Sequence, residues 1–125
     1  MKVLIVDDEM LVRRSLRRVL ESRGHQVVEA SDGRQGLEVW REIQPELVIL
    51  DVLMPGLTGP QVLSEIGTES KAKVILISAY TGEYDLKKAK DMGADLFISK
   101  PFQNIFEVAD RAESLFNETR VTLPT

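Results

Sequence analysis

Cysteine is missing from this 125-residue chain, and histidine occurs once. No disulfide or thiolate metal site can form, so the fold must stand on burial and hydrogen bonding. The same lack fits a reducing compartment, and a cytoplasmic location is expected. Long apolar runs are lacking too. None approaches the roughly 18 residues of a membrane span, and the opening stretch Lys2–Val6 meets Asp7 too soon to be a signal peptide. Positive charge is not in excess: 16 Lys and Arg face 20 Asp and Glu, a net charge of −4. Nucleic-acid backbones are bound by neutralising phosphates, so direct nucleic-acid binding by this domain is not expected. A glycine-rich turn after the first apolar segment is also absent. Asp7-Asp8-Glu9-Met10 stands where a dinucleotide-binding chain would bring glycines to a pyrophosphate.

What is present is the composition of one globular domain, 43% hydrophobic and 29% charged. Short apolar runs at Lys2–Val6, Val27–Ala30, Leu47–Leu50, Val74–Ile77 and Leu96–Ile98 are predicted strands. Val, Ile and Leu dominate them, as in parallel strands buried on both faces. Helical spacing fills the gaps. Glu9–Arg23 puts Val12, Leu16, Val19 and Leu20 on one face and stops at Gly24. Asp32–Ile43, capped by Ser31 or Asp32, turns Leu37, Trp40 and Ile43 inward and is followed by Pro45. A short helix starts at Thr58, where Thr58 and Gln61 make a capping box ahead of Val62, Leu63 and Ile66. Glu83–Met92 has a thin apolar face of Leu86, Ala89 and Met92, and Gln103–Phe116 a fuller one of Ile105, Ala109, Ala112, Leu115 and Phe116. This alternation is the (βα)5 pattern of an α/β fold: an open parallel sheet with helices on both faces. Residues 1–118 are expected to form the domain, and 119–125 a C-terminal tail or the start of a linker.

Polar residues follow the strands. The first runs into Asp7-Asp8, the third into Asp51, the fourth into Ser78 and the fifth into Lys100. In a parallel sheet all these C-terminal ends lie on one edge, where ligands bind near the point at which strand order reverses. Three carboxylates in one cleft repel each other unless a cation sits among them. Oxygen ligands with no Cys or His favour Mg²⁺, which is readily completed by phosphate oxygens. Lys100 adds a compact positive charge and Ser78 a hydroxyl. Such a set suits phosphoryl transfer, and a carboxylate can itself be the nucleophile. Asp51, ending the central strand, is the best placed.

On these residues the chain resembles the response-regulator receivers of two-component signalling, across residues 2 to about 118. It carries paired acids (Asp7, Asp8), an acceptor stretch Asp51-Val52-Leu53-Met54-Pro55-Gly56-Leu57-Thr58-Gly59, a strand-four hydroxyl in Ser78-Ala79, and Lys100-Pro101-Phe102. The resemblance implies a flavodoxin-like sheet in the order 2-1-3-4-5 and phosphorylation of Asp51 by a histidine kinase or histidine phosphotransfer protein. It implies Mg²⁺ bound directly by Asp8, Asp51 and the Val52 carbonyl, with Asp7 acting largely through water. Lys100 would hold the phosphoryl group, Ser78 would move toward it, and Phe97 would rotate inward. Leu53 and Tyr80 would tune the phosphoryl lifetime, and the Lys100–Pro101 bond would be cis. The switched domain would act on a downstream effector protein or an output domain.

Some features stand apart. Leu96 occupies a place where receivers of DNA-binding regulators often carry an acid, which favours a stand-alone protein. Arg13, Arg14, Arg17, Arg18 and Arg23 make the first helix basic, with Glu21 alone opposing within it. That is either a solvated face or a docking ridge for an acidic partner. His25 is expected to be exposed in the turn after Gly24, without a chemical role, and Trp40 to lie in the core. The competing function is a small Mg²⁺-dependent phosphohydrolase working through an aspartyl phosphate. Such enzymes carry a second acid two residues past the nucleophile, where this chain has Leu53.

Overall fold

Val-, Ile- and Leu-rich segments of four to six residues are too short for helices and become strands in the computed structural model, which describes residues 1–79 and 85–120. They are β1 (Lys2–Val6), β2 (Gln26–Ala30), β3 (Leu47–Asp51), β4 (Lys73–Ser78) and β5 (Leu96–Ser99). All neighbours are parallel, in the order β2-β1-β3-β4-β5. Between them run α1 (Met10–Ser22), α2 (Gly33–Ile43), α3 (Gly59–Ile66), α4 (Leu86–Asp91) and α5 (Ile105–Arg120). Among the described residues no helix is long and apolar enough to cross a membrane.

The period-2 alternation of strands splits the core in two. Val3, Ile5, Ile49, Ile75 and Ile77 point to one face and meet Leu16, Val19 and Leu20 of α1 and Val108, Ala109, Ala112 and Leu115 of α5. Leu4, Val6, Val48, Leu50 and Leu76 point to the other and meet Leu37 and Trp40 of α2, Val62, Leu63 and Ile66 of α3, and Ala89 of α4. With both faces covered, Val3–Val6 and Leu47–Leu50 are wholly buried. Burial at about 25 cal/mol per Å² of apolar surface makes these central strands the main source of stability.

Local chemistry sets the helix ends. The Asp32 carboxylate accepts from Gln35 N–H, and Thr58 and Gln61 form the reciprocal capping box at α3. Gly24, at φ +87°, turns the chain out of α1 in a conformation that costs glycine least. Two helices differ from expectation. α4 begins at Leu86 because the Asp85 carboxylate caps it, accepting from Lys88 N–H; the expected start at Glu83 lies outside the described residues. α5 begins at Ile105 rather than Gln103, because Asn104 Oδ1 accepts from Phe106 N–H at 2.9 Å, and it continues to Arg120.

One expectation about side chains is corrected, and the basic face of α1 finds partners beyond its own helix. His25 is not exposed: its side chain is 14% accessible, with Nε2 2.7 Å from Glu113 Oε2. Its Nδ1 lies 3.1 Å from the N-terminal ammonium. The α1 arginines are opposed by more than Glu21. Arg13 and Arg17 both pair with Glu29 of β2 at 3.0 Å, and Arg23 pairs with Asp110 and Glu113 of α5 at 2.7 and 2.8 Å. The basic stripe is largely a set of ties to β2 and α5, with Arg14 and Arg18 exposed.

One close approach connects the fold to the sheet edge. A Cβ added to Gly59 would lie 2.5 Å from the Asp51 carbonyl oxygen and 3.1 Å from Val52 Cα. Both are backbone atoms, unable to give way, and Gly59 N–H donates to Val52 O at 2.9 Å across the same gap. Gly59→Ala should therefore destabilise the domain by about 1–3 kcal/mol, as overpacking does, despite alanine's better helix propensity. Urea denaturation monitored by circular dichroism checks this; an unchanged or raised midpoint would show that α3 can move away from β3 without cost.

Candidate functional site

Parallel pairing delivers every strand's C-terminal end to one edge. Asp7 follows β1, Asp51 ends β3 beside it, Ser78 ends β4, and Lys100 follows β5. β1 is where the order reverses, with β2 on one side and β3 on the other, so the crevice opens above Asp7 and Asp51. Lys100 is fixed by its backbone N–H, which donates to Ser78 O at 2.8 Å, and by the cis Lys100–Pro101 peptide bond.

The lysine side chain, 7% exposed, ends among three carboxylates. Its Nζ lies 2.7 Å from Asp7 Oδ2, 2.8 Å from Glu9 Oε1 and 3.4 Å from Asp51 Oδ2. Asp7 and Asp51 are buried. Asp7 Oδ1 accepts from Glu9 N–H at 2.8 Å. Asp7 Oδ2 is in charge contact with the ammonium, and among the described residues no other group reaches it. Arg13 steadies the loop from behind, Nη1 donating to Asp7 O at 2.7 Å while Nε donates to Glu29 Oε1 at 3.0 Å.

Four carboxylates and one ammonium leave this edge short of positive charge. Burial, then the charge of Asp7, pushes the Asp51 carboxyl up from 3.8 to about 7, and Lys100 offsets this only in part. For Lys100 burial acts against the ammonium, but its bonds to Asp7 and Glu9 outweigh that and hold it above the usual lysine range. Oxygens of Asp7, Asp8, Glu9 and Asp51 lie within 4.8 Å of one another, close enough to share one ion. The buried Asp7 oxygen, reached among the described residues by Lys100 alone, and the all-oxygen donor set both fit a hard divalent cation.

The sequence-derived residues fall as follows. Asp7, Asp51 and Lys100 are in contact, and Asp8 is on the exposed rim. Ser78 is buried at the end of β4. Phe97, opposite Leu76 in the β4–β5 register, is partly buried against the α4-side core. The Val52 carbonyl already accepts from Gly59 N–H at 2.9 Å, so one lone pair remains for a cation. Leu53 is 53% exposed, and Tyr80 lies outside the described residues. Glu9 and Arg13 were not anticipated. Glu9's place after Asp7-Asp8 was a signal, since a third acid at one strand end needs a counter-charge. Nothing local marks Arg13.

Comparison with known proteins agrees with this arrangement. A 118-residue stretch, 94% of the chain, is 38% identical to 49% of a probable transcriptional regulator, ycf27, of Cyanophora paradoxa. A 120-residue alignment is 34% identical to 58% of the transcriptional regulatory protein PdtaR of Mycobacterium tuberculosis, again over 94% of this chain. The chain thus spans about half the length of these curated relatives. Among solved structures, the response regulator protein TrrA of Thermotoga maritima in complex with Mg²⁺ and BeF superposes with a TM-score of 0.79 at 34% identity, covering 91% of this chain and 97% of that one. The family model described as the response regulator receiver domain matches residues 3–109, from β1 into α5 and through every strand end that forms the cleft, and the chain belongs to that family.

Proposed function

We propose that this receiver domain takes a phosphoryl group onto Asp51 from a histidine kinase or a histidine phosphotransfer protein, with Mg²⁺ as its cofactor. The observation that carries the reading is the place of Asp51, buried at the C-terminal end of β3 in the crevice, with the Lys100 ammonium 3.4 Å from its Oδ2. Asp8 and Asp51 would hold the ion directly and Asp7 through water. The Val52 carbonyl has the weakest claim, because Gly59 already uses it. Bound there, Mg²⁺ supplies positive charge that offsets the carboxylates and the phosphoryl oxygens. The relative from Thermotoga carries Mg²⁺ and BeF, and a CheY of Borrelia burgdorferi, 32% identical with a TM-score of 0.83, is a CheX-CheY-BeF3-Mg complex.

In the transfer, an Asp51 carboxylate oxygen forms the bond to phosphorus. The bond from phosphorus to the donor breaks, its electron pair leaving with the donor nitrogen or, for acetyl phosphate, with acetate. Lys100 then faces a phosphoryl oxygen, and Ser78, next to it across the β4 end, closes toward the group. Phe97 connects this movement to α4, β5 and α5. α4 is a six-residue helix with Ala89 as its one buried residue, so little burial resists its displacement. That face would contact an effector protein or an output domain, as the regulators related to this chain suggest by their greater length. Leu53, exposed two residues past the acceptor, would limit the approach of hydrolytic water. A phosphohydrolase is disfavoured, since Leu53 offers no acid to a leaving group.

Incubation with Mg²⁺ and acetyl phosphate should add one phosphoryl group, about 80 Da by intact mass. Asp51→Asn should take up none. Full labelling of that variant would place the acceptor elsewhere.

A second outcome follows from proton–metal competition. Folded Asp51 keeps its proton up to about 7, while in the unfolded chain it ionises near 3.8. Between those values the native state binds the extra proton, so metal-free stability falls as pH rises toward and through 7. In EDTA, the melting temperature should drop by a few degrees between about pH 6 and pH 8, roughly 1 kcal/mol. Asp51→Asn should flatten that drop, and Mg²⁺ should restore the wild type at the higher pH. A slope unaltered by Asp51→Asn would assign the burden to another group.

A further inference from the structure

We propose that Glu9 holds the Lys100 ammonium in the resting domain and must release it to the incoming phosphoryl group, so that Glu9 slows the loading of Asp51. The inference rests on Asp51 being the acceptor. Three carboxylates crowd the Lys100 ammonium: Asp7 at 2.7 Å, Glu9 at 2.8 Å and Asp51 at 3.4 Å. A phosphoryl oxygen on Asp51 needs a place beside the ammonium, and the three carboxylates are not equally able to give one up.

Asp7 is buried, with its carboxylate bonded to Glu9 N–H and its carbonyl to Arg13. Asp51 carries the new group. Glu9 is different: its side chain is 59% exposed, and among the described residues its carboxylate has no hydrogen bond or ion pair except with Lys100. It stands at the N-cap of α1 yet makes no side-chain cap bond. Its backbone is fixed, the N–H on Asp7 Oδ1 and the carbonyl accepting from Arg13 N–H at 3.1 Å. The side chain can therefore swing into water while the loop stays in place. A phosphoryl dianion on Asp51 repels the carboxylate in the same direction. Loading exchanges one anion on Lys100 for another, and breaking a half-exposed pair of this kind slows it by about two- to five-fold.

The test compares wild type, Glu9→Gln and Glu9→Asp at saturating Mg²⁺ with acetyl phosphate, following the rate of mass gain at Asp51. Glu9→Asp keeps the charge but is one methylene too short to reach Lys100. Beryllofluoride affinity gives a second readout at equilibrium, and melting curves establish that each variant is folded. Both variants should load about two- to five-fold faster than wild type and bind beryllofluoride more tightly by a similar factor. Equal or slower loading in both, with wild type labelled at Asp51, would overturn the proposal alone. Acceleration in Glu9→Gln only would do the same, because it would report net charge rather than the tether. A wild type that takes no label would overturn this proposal together with the acceptor reading.

Discussion

The structure turns on one ammonium group among buried carboxylates. Asp7 and Asp51 sit on adjacent strands of the sheet centre, where both faces are covered and water is scarce. Two ionised carboxylates in that place would be costly, and burial raises Asp51 to about 7 even with Lys100 beside it. Lys100 reaches them from β5, two strands away from β3 and linked through β4, by its backbone bond to Ser78 and its cis bond to Pro101. The charge it supplies is enough to hold the cleft together and too little to satisfy it. That residue of unmet negative charge makes the edge a place for a divalent cation and for chemistry that consumes positive charge.

The surrounding structure keeps these groups in register. α3 approaches so closely that position 59 admits no side chain, and its capping box fixes the turn that follows Asp51. On the other side, Arg13 ties the Asp7 carbonyl to Glu29 of β2, and Arg17 holds the second oxygen of the same glutamate. Arg13 and Arg17 therefore serve the cleft through its loop, which leaves Arg14 and Arg18 as the exposed arginines of α1. Support on the α1, β2 and α3 sides contrasts with the short α4, which buries Ala89 alone.

Much of this was legible in the chain because it is local. Strand runs, the Thr58–Gln61 box and the Asp32 cap depend on neighbours three residues apart or fewer, and residue types at those spacings carry the information. The convergence of Asp7, Asp51, Ser78 and Lys100 was also legible, since parallel topology alone puts strand ends on one edge. What escaped depends on distant partners. Lys100 finds Glu9 across 91 positions, His25 finds Glu113 across 88, and Arg13 finds Glu29 only once α1 lies on β2. The basic look of α1 is incomplete for the same reason: beside Glu21 within the helix, its counter-charges come from β2 and α5. α5 started late because Asn104, an unremarked side chain, caps it.

Proximity to Lys100 does not by itself single out the acceptor, since Asp7 is nearer to the ammonium than Asp51 is. Among the described residues the Asp51 carboxylate is bonded to Lys100 alone, and it ends the central strand at the crevice. The most direct test is chemical: reduce the Mg²⁺- and acetyl-phosphate-treated domain with borohydride, which converts an acyl phosphate to homoserine, and locate the product by peptide mass spectrometry. Homoserine should appear at position 51 and nowhere else. Homoserine at position 7 or 8, or a stable phosphate elsewhere with Asp51 intact, would contradict the assignment on which the site depends.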